Sequence, residues 1–279
     1  VFACPKPFIG LTAAHQYNAI GSWKRLNPSA QVILIGDEDG VEKASAECGC
    51  EYISGCERNE FGTPLISSIF ALARKAARHD MLCYVNADII LTSSFLACLK
   101  VARRNKERFL LVGRRWDFDL NARLDFEQPH WEADLVSRVG VLGNRASEWQ
   151  IDYFAFPKNE YSTIPSFAVG RVRWDNWMIW NANQNRIAVI DASDLITAIH
   201  QNHDYSHYPR GRQGVCEGPE AIANHELAGG WAHIYSIADA SHKIRGPEGR
   251  PLPYLLPRVL SRIKPRVMRF ARAIKRSLL

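Results

Sequence analysis

Met81-Leu82-Cys83-Tyr84-Val85-Asn86-Ala87-Asp88 is a short apolar run that stops on an amide and a carboxylate. Its length and its β-permissive residues predict a strand over 81–85 that delivers Asn86 and Asp88 at its carboxyl end. What surrounds it decides the sheet in which that strand lies. Upstream, strand-sized runs at 1–4, 31–35 and 51–53 alternate with helical stretches over 13–26 and up to Cys48, and Thr63-Pro64 reads as an N-cap and first-turn proline opening a helix that ends near His79. Such alternation is the signature of an α/β fold, a mostly parallel sheet wrapped by helices.

Downstream, 109–112 is another strand, after which the regularity fades. A strand over 151–156 stopped by Pro157, a helix over 174–183 and strands over 186–190 and 195–200 are expected. Gly246-Pro247-Glu248-Gly249-Arg250-Pro251 reads as a hinge. The expected organisation is one domain over 1–245, with one half to about 112 and a less regular half over 113–245. A hinge and tail over 246–279 follow.

Composition narrows the class. With 47% apolar and 23% charged residues the chain is ordinary globular protein, and its apolar runs fall short of the roughly 20 residues that span a bilayer. The amino end lacks a secretory pattern, so a cytoplasmic location is expected. The seven cysteines show no paired CxxC spacing and are read as reduced thiols, with zinc at Cys48, Cys50 and Cys56 as the lesser alternative. Of the net charge of +6, residues 258–279 supply eight basic side chains and no acidic one, which leaves −2 on the rest. That body is not a nucleic-acid-binding surface. In the tail, Val267, Phe270, Ala271, Ile274 and Leu278 recur at helical spacing among basic residues. The pattern is a basic amphipathic helix, which either packs on the domain or docks on an anionic membrane surface.

In open parallel sheets ligands gather at the carboxyl ends of the strands. The residues at those positions here are polar: Asp37, Asn59, Asp88, Asp191 and His200. Each is also an ordinary turn residue, so it is their convergence that points to a site.

Two elements carry a resemblance. Ile33-Leu34-Ile35-Gly36-Asp37-Glu38 resembles the strand-then-acid element with which GT-A glycosyltransferases hold a nucleotide sugar, and Tyr84-Val85-Asn86-Ala87-Asp88 resembles their DxD element. Asn86 departs from that pattern, since its first acid is here an amide. The resemblance covers about residues 1–205. It implies a GT-A catalytic domain with a nucleotide-binding half to about 112 and an acceptor and metal half over 113–245, a nucleotide-sugar donor, a glycan or lipid-linked acceptor, and Mn²⁺ or Mg²⁺ to offset diphosphate charge.

By the same resemblance Asp88 is the metal ligand, completed by His200, with His203 as the alternate. Asp175 in Arg173-Trp174-Asp175-Asn176-Trp177 is the base of an inverting reaction. Asp37, Asn59, Gly62, Thr63, Asn86 and Arg114 are expected at the nucleotide sugar, with free N–H groups at the helix start after Thr63. Asp152, Trp174 and Trp177 are expected at the acceptor. Two competing readings are a metal-dependent hydrolase built on the 200–207 histidine cluster with Asp88 and Asp175 bridging metals, and a non-catalytic, membrane-associated scaffold of the same fold.

Overall fold

A computed structural model of the 279-residue chain describes residues 1–27, 30–203, 211–246 and 249–254. The tail read as an amphipathic helix lies outside the described residues, as do Asp204 and His207.

The first half runs β1 (Phe2–Ala3), α1 (Gly10–Leu26), β2 (Ile33–Ile35), α2 (Val41–Cys48), β3 (Glu51–Ile53), α3 (Ile66–Ala76), β4 (Met81–Val85), β5 (Ile89–Leu91), α4 (Ser93–Asn105) and β6 (Phe109–Val112). It continues as β7 (Arg115–Phe118), α5 (Trp131–Leu142), β8 (Asn144–Arg145), β9 (Tyr153–Pro157), α6 (Trp174–Gln184), β10 (Ala188–Asp191) and β11 (Ala198–Gln201). The last elements are α7 (Gly211–Glu217), α8 (Pro219–Leu227), β12 (His242–Ile244) and β13 (Pro251–Pro253).

Nine strands form one sheet in the order β13-β12-β10-β6-β9-β4-β1-β2-β3. Most neighbours are parallel; β9 runs antiparallel between β4 and β6, and β13 antiparallel to β12. The reversal of β9 matters for the site. Val85 pairs with Tyr153, so the amino end of β9 lies beside the carboxyl end of β4 and puts Asp152 next to Asn86. One face of the sheet is sealed by aromatic packing under α3 and α6, where Phe70 stacks on Phe156 at 5.7 Å and Trp174 meets Tyr84 edge-on at 5.1 Å. The other face is closed by α1 and α4 around Trp23, Phe95 and Phe109.

A second sheet, β5-β11-β7-β8, grows from the residues just after Asp88. Polar contacts from α1 fasten it: Trp23 Nε1 donates to Ile89 O at 2.9 Å, and Ser22 Oγ accepts from Leu91 N at 3.1 Å. Antiparallel pairing sets His200 opposite Ile89, and parallel pairing sets it opposite Asp117. This small sheet brings residues more than a hundred positions apart to the end of β4.

Three expectations are corrected. The helix expected to open at Thr63-Pro64 begins at Ile66, because the backbone ahead of it is extended: Arg58 bridges Pro64, Leu65 bridges Ala168, and Ile66 N donates to Phe167 O at 2.8 Å. Pro157 does not stop its strand but ends it from within, paired with Met81. The supposed hinge after residue 245 joins β12 to β13, so the main sheet continues through Pro253. All seven cysteines are free thiols, and Cys48, Cys50 and Cys56 form no metal-holding group among the described residues.

Candidate active site

Asp88, His200 and His203 meet beyond the carboxyl end of β4, with one potential ligand atom from each within 4.8 Å of the others. His203 Nε2 lies 3.2 Å from Asp88 Oδ2, and His200 Nε2 lies 3.9 Å from the same oxygen. The second carboxylate oxygen, Oδ1, is buried and has no hydrogen-bond partner. A buried, unpaired carboxylate oxygen is costly unless something positive meets it. Burial works against the charge of Asp88, yet the His203 contact, His200 and Lys6 hold its pKa well below the usual carboxylate range. One carboxylate and two imidazoles, with the other positions of the shell left for ligand oxygens, suit a divalent cation such as Mn²⁺.

Behind this trio runs a hydrogen-bonded chain of side chains. Tyr84 OH donates to Asn86 Oδ1 at 3.1 Å, and Asn86 Nδ2 donates to Asp152 Oδ1 at 2.7 Å. Arg115 Nη1 donates to Asp152 Oδ2 and its Nε to Asp117 Oδ1, both at 2.8 Å. With the imidazoles counted as neutral, three carboxylates (Asp88, Asp117, Asp152) outnumber the two cations Arg115 and Lys6, a formal excess of negative charge that a divalent cation offsets. Both polar atoms of Asn86 are spent inside this chain. An amide fits there because it donates to one neighbour while accepting from the other, which a carboxylate cannot do.

Asp175 enters from the first turn of α6. Its Oδ1 is buried without a hydrogen-bond partner, and burial pushes its pKa up to about 7, with the negative charge of Asp152 adding to the rise and the Asn176 backbone N–H and Arg173 opposing it. A carboxyl group poised there exchanges a proton at neutral pH, as a general base requires. The residue before its helix, Arg173, is held at φ 91°, outside the comfortable range of an L side chain. Its guanidinium lies 4.3 Å over the Trp231 ring.

The other expected residues fall in different places. Asn86, Asp88, Asp152, Asp175, His200 and His203 are brought together. Asn59 closes its own loop, accepting from Phe61 N and Thr63 N, while its Nδ2 donates to Glu220 Oε1 at 2.8 Å. Thr63 N is thereby occupied, and Leu65 N donates to Glu57 O, so the free helix-start N–H groups expected after Thr63 are absent there. Gly62 is the left-handed corner of this loop at φ 78°. Asp37 is exposed at the end of β2, where both oxygens accept from Gly55 N at 3.1 Å. Arg114 is turned to Ala146 O at 2.6 Å, and it is its neighbour Arg115 that reaches the acidic cluster.

Trp174 and Trp177, expected to stack on a sugar, are 4% and 6% exposed and pack against Tyr84, Phe154, Phe167 and Trp180. They are core residues because the helix that presents Asp175 needs an apolar face to lie on the sheet. Asp191 is also structural, accepting from Ser193 N and Tyr254 OH.

Several residues escaped the sequence reading. Gln201, fully buried, donates to Asp88 O at 3.0 Å and His15 O at 2.8 Å and accepts from Asn18, which fixes the backbone of the loop that carries Asp88 to α1. Glu220 and Asn224, one turn apart on α8, hold the loop that leads to Asp175 through Arg171, Ala168 and Val172. Asp117 was missed too, although its spacing of two from Arg115 in Arg115-Trp116-Asp117-Phe118 puts both on one face of a strand.

No protein-family model matches the sequence, and no curated protein does. Solved structures do. Glucosyl-3-phosphoglycerate synthase from Mycobacterium tuberculosis, in complex with Mn²⁺, UDP and phosphoglyceric acid, aligns at a TM-score of 0.50 and 15% identity over 83% of this chain and 79% of its own. The same enzyme with Mg²⁺ and UDP aligns at 0.50 and 14%, over 83% and 80%. The chain has the GT-A fold. Within that fold, the Asp88 trio stands at the end of the central strand, where its sheets open to a ligand. A crystal structure described as a mycobacterial protein aligns at 0.51 and 13%, over 82% and 74%.

Proposed function

We propose that the chain is a metal-dependent glycosyltransferase that moves a sugar from a nucleoside-diphosphate sugar to a hydroxyl group of a glycan or glycolipid acceptor, with inversion. The observation that carries this reading is the meeting of Asp88, His200 and His203 at the carboxyl end of the central strand of a GT-A sheet. Support also comes from the structural neighbours, whose complexes hold UDP with Mn²⁺ or Mg²⁺.

Asp88, His200 and His203 would hold the cation, which when bound there supplies positive charge to the diphosphate as the glycosidic bond breaks. The protein's own part is proton handling and alignment. Asp175 accepts the proton of the acceptor hydroxyl as that oxygen bonds to the anomeric carbon and the bond to the diphosphate oxygen breaks. Asp152, fixed by Asn86 and Arg115, keeps a negative charge near Asp175 and so keeps it basic enough for the task. Asp37 and the Asn59-Gly62-Thr63 loop flank the donor side. Among the described residues no helix is long and apolar enough to cross a membrane. A cytoplasmic enzyme docked by its basic tail on the inner leaflet is the placement that brings this site to a lipid-linked acceptor.

The test is release of nucleoside diphosphate from a panel of nucleotide sugars with Mn²⁺ and with EDTA. Slow, Mn²⁺-dependent release supports the reading. Activity on simple phosphate esters with none on nucleotide sugars replaces it with a hydrolase.

A further inference from the structure

The geometry points to Asp117 as a positioning residue of the metal centre: from β7 it orients the His200 ring so that Nε2 faces Asp88, and Arg115 ties that orientation to Asp152. The inference rests on the metal reading above and adds to it two residues that touch neither metal nor substrate.

Backbone register places the pair before any side chain is considered. β7 and β11 are parallel, and His200 lies directly opposite Asp117. Opposed residues on neighbouring strands project to the same face. On the other flank of β11, His200 lies opposite Ile89, the residue after Asp88. Strand pairing thus sets His200 beside Asp117 on the Nδ1 side, and the turn just ahead of β5 brings Asp88 to the Nε2 side.

The side chains follow that register. His200 is 8% exposed, and its Nδ1 is buried with no hydrogen bond in good alignment. The acceptor facing it is Asp117 Oδ1, 3.1 Å away and off the hydrogen-bond direction, a contact that a small rotation of the ring completes. A buried ring nitrogen has to be paired, and one that pairs with a carboxylate oxygen carries the proton. With the proton on Nδ1 and its bond to Asp117, the lone pair sits on Nε2, toward Asp88. Carboxylates placed behind metal-binding histidines act in this way.

Arg115 is what keeps Asp117 available. Two residues earlier on the same face of β7 and 11% exposed, it donates Nε to Asp117 and Nη1 to Asp152. Were this pair a solvated surface bridge, it would be open to water and worth little. The pair is instead partly buried, at 11% and 25% side-chain exposure, and its further contacts to Asp152 and His200 argue for a positioning role.

The experiment titrates Mn²⁺ alone into the full chain, reading free Mn²⁺ by electron paramagnetic resonance, for the unsubstituted protein and for Asp117→Ala, Asp117→Asn and Asp88→Ala. Asp117→Ala is expected to weaken Mn²⁺ binding about 10- to 100-fold, the usual effect of removing such a partner. Asp117→Asn keeps an oxygen that accepts the Nδ1 proton and is expected to restore most of that loss. Asp117→Ala binding within twofold of the unsubstituted chain overturns the inference while leaving the metal site intact, and equal losses in Asn and Ala overturn the hydrogen-bonding role. If the unsubstituted chain binds no Mn²⁺, the metal reading falls and takes the inference with it. A second readout needs no metal: ¹⁵N shifts of His200 are expected to show the Nδ1-protonated tautomer in the unsubstituted chain, and an Nε2-protonated ring contradicts the assignment.

Discussion

Asn86 Nδ2 donates a 2.7 Å hydrogen bond to Asp152 Oδ1, and the other end of the same amide accepts from Tyr84. The amide thus stands where the resemblance to a DxD element would have a first acid. It acts as a strut inside the site, because the neighbour it meets is itself a carboxylate. Restoring the pattern should do harm. Asn86→Asp puts a second carboxylate against Asp152, and two unit charges about 4 Å apart cost about 4 kcal/mol at an effective dielectric of 20. The expected outcome is Mn²⁺-dependent turnover at least about 10-fold lower, measured as diphosphate release, and a raised pKa for one acid of the new pair. A gain in activity would show that Asn86 is a weakened metal ligand after all.

The base assignment predicts a pH dependence. Asp175 has a folded pKa raised to about 7, so it is increasingly protonated below that value and free to accept a proton above it. The rate kcat/KM should rise with pH through an inflection no higher than about 7, since a bound cation lowers the value further. Asp175→Asn should cut kcat by about 10²-fold or more and remove that inflection while leaving nucleoside-diphosphate affinity unchanged. An unaltered pH profile in the variant moves the role to another residue.

The same raised pKa has a stability consequence of fixed sign. Asp175 binds its proton more tightly folded than unfolded, so its contribution is fully present below about pH 4 and is lost as pH rises toward 7. Asp175→Asn should therefore flatten the decline in Tm over that window, as read by thermal unfolding in EDTA from pH 5 to 8. A decline as steep as that of the unsubstituted chain would mean that the carboxyl is not held protonated.

Much of the first 112 residues was legible because their signals are local. The 81–85 run, the β-branched strand before Asp37 and the Gly-bounded helix 41–48 each carry their own boundaries. What was hidden depends on pairing between distant segments. β7 and β8 are too short to declare a period, and Asp117 gains its meaning only opposite His200. Trp174 and Trp177 misled for a related reason: an aromatic beside a catalytic acid looks like a sugar platform until the sheet beneath it is known. The helix start at Thr63-Pro64 carried good capping chemistry, but tertiary bridges to Arg58 and Ala168 claimed that backbone first.

Ligand chemistry orders the cations. Two imidazoles beside one carboxylate favour a metal that accepts nitrogen, and Mg²⁺ prefers oxygen and sheds water reluctantly. Mn²⁺ should bind at least about 10-fold more tightly than Mg²⁺ by calorimetry. Equal affinities would argue that His200 and His203 do not both coordinate.

Membrane docking is tested by co-sedimentation of the full chain and of one ending at Pro257 with anionic and with neutral vesicles. Each basic residue near an anionic surface is worth about 1 kcal/mol, so the full chain should pellet with anionic vesicles at low salt and be released by high salt. If both chains stay in the supernatant, the tail has no such role.

The central claim is that Asp88, His200 and His203 hold a cation that in turn holds a nucleoside diphosphate. It is tested most directly by isothermal titration of UDP, GDP and ADP into the full chain with Mn²⁺, with EDTA, and with Mn²⁺ in the Asp88→Ala variant. At least one nucleotide should bind the unsubstituted chain with Mn²⁺ and lose that binding both in EDTA and in Asp88→Ala. A nucleotide that binds equally well in all three conditions, or none that binds in any, would contradict the account.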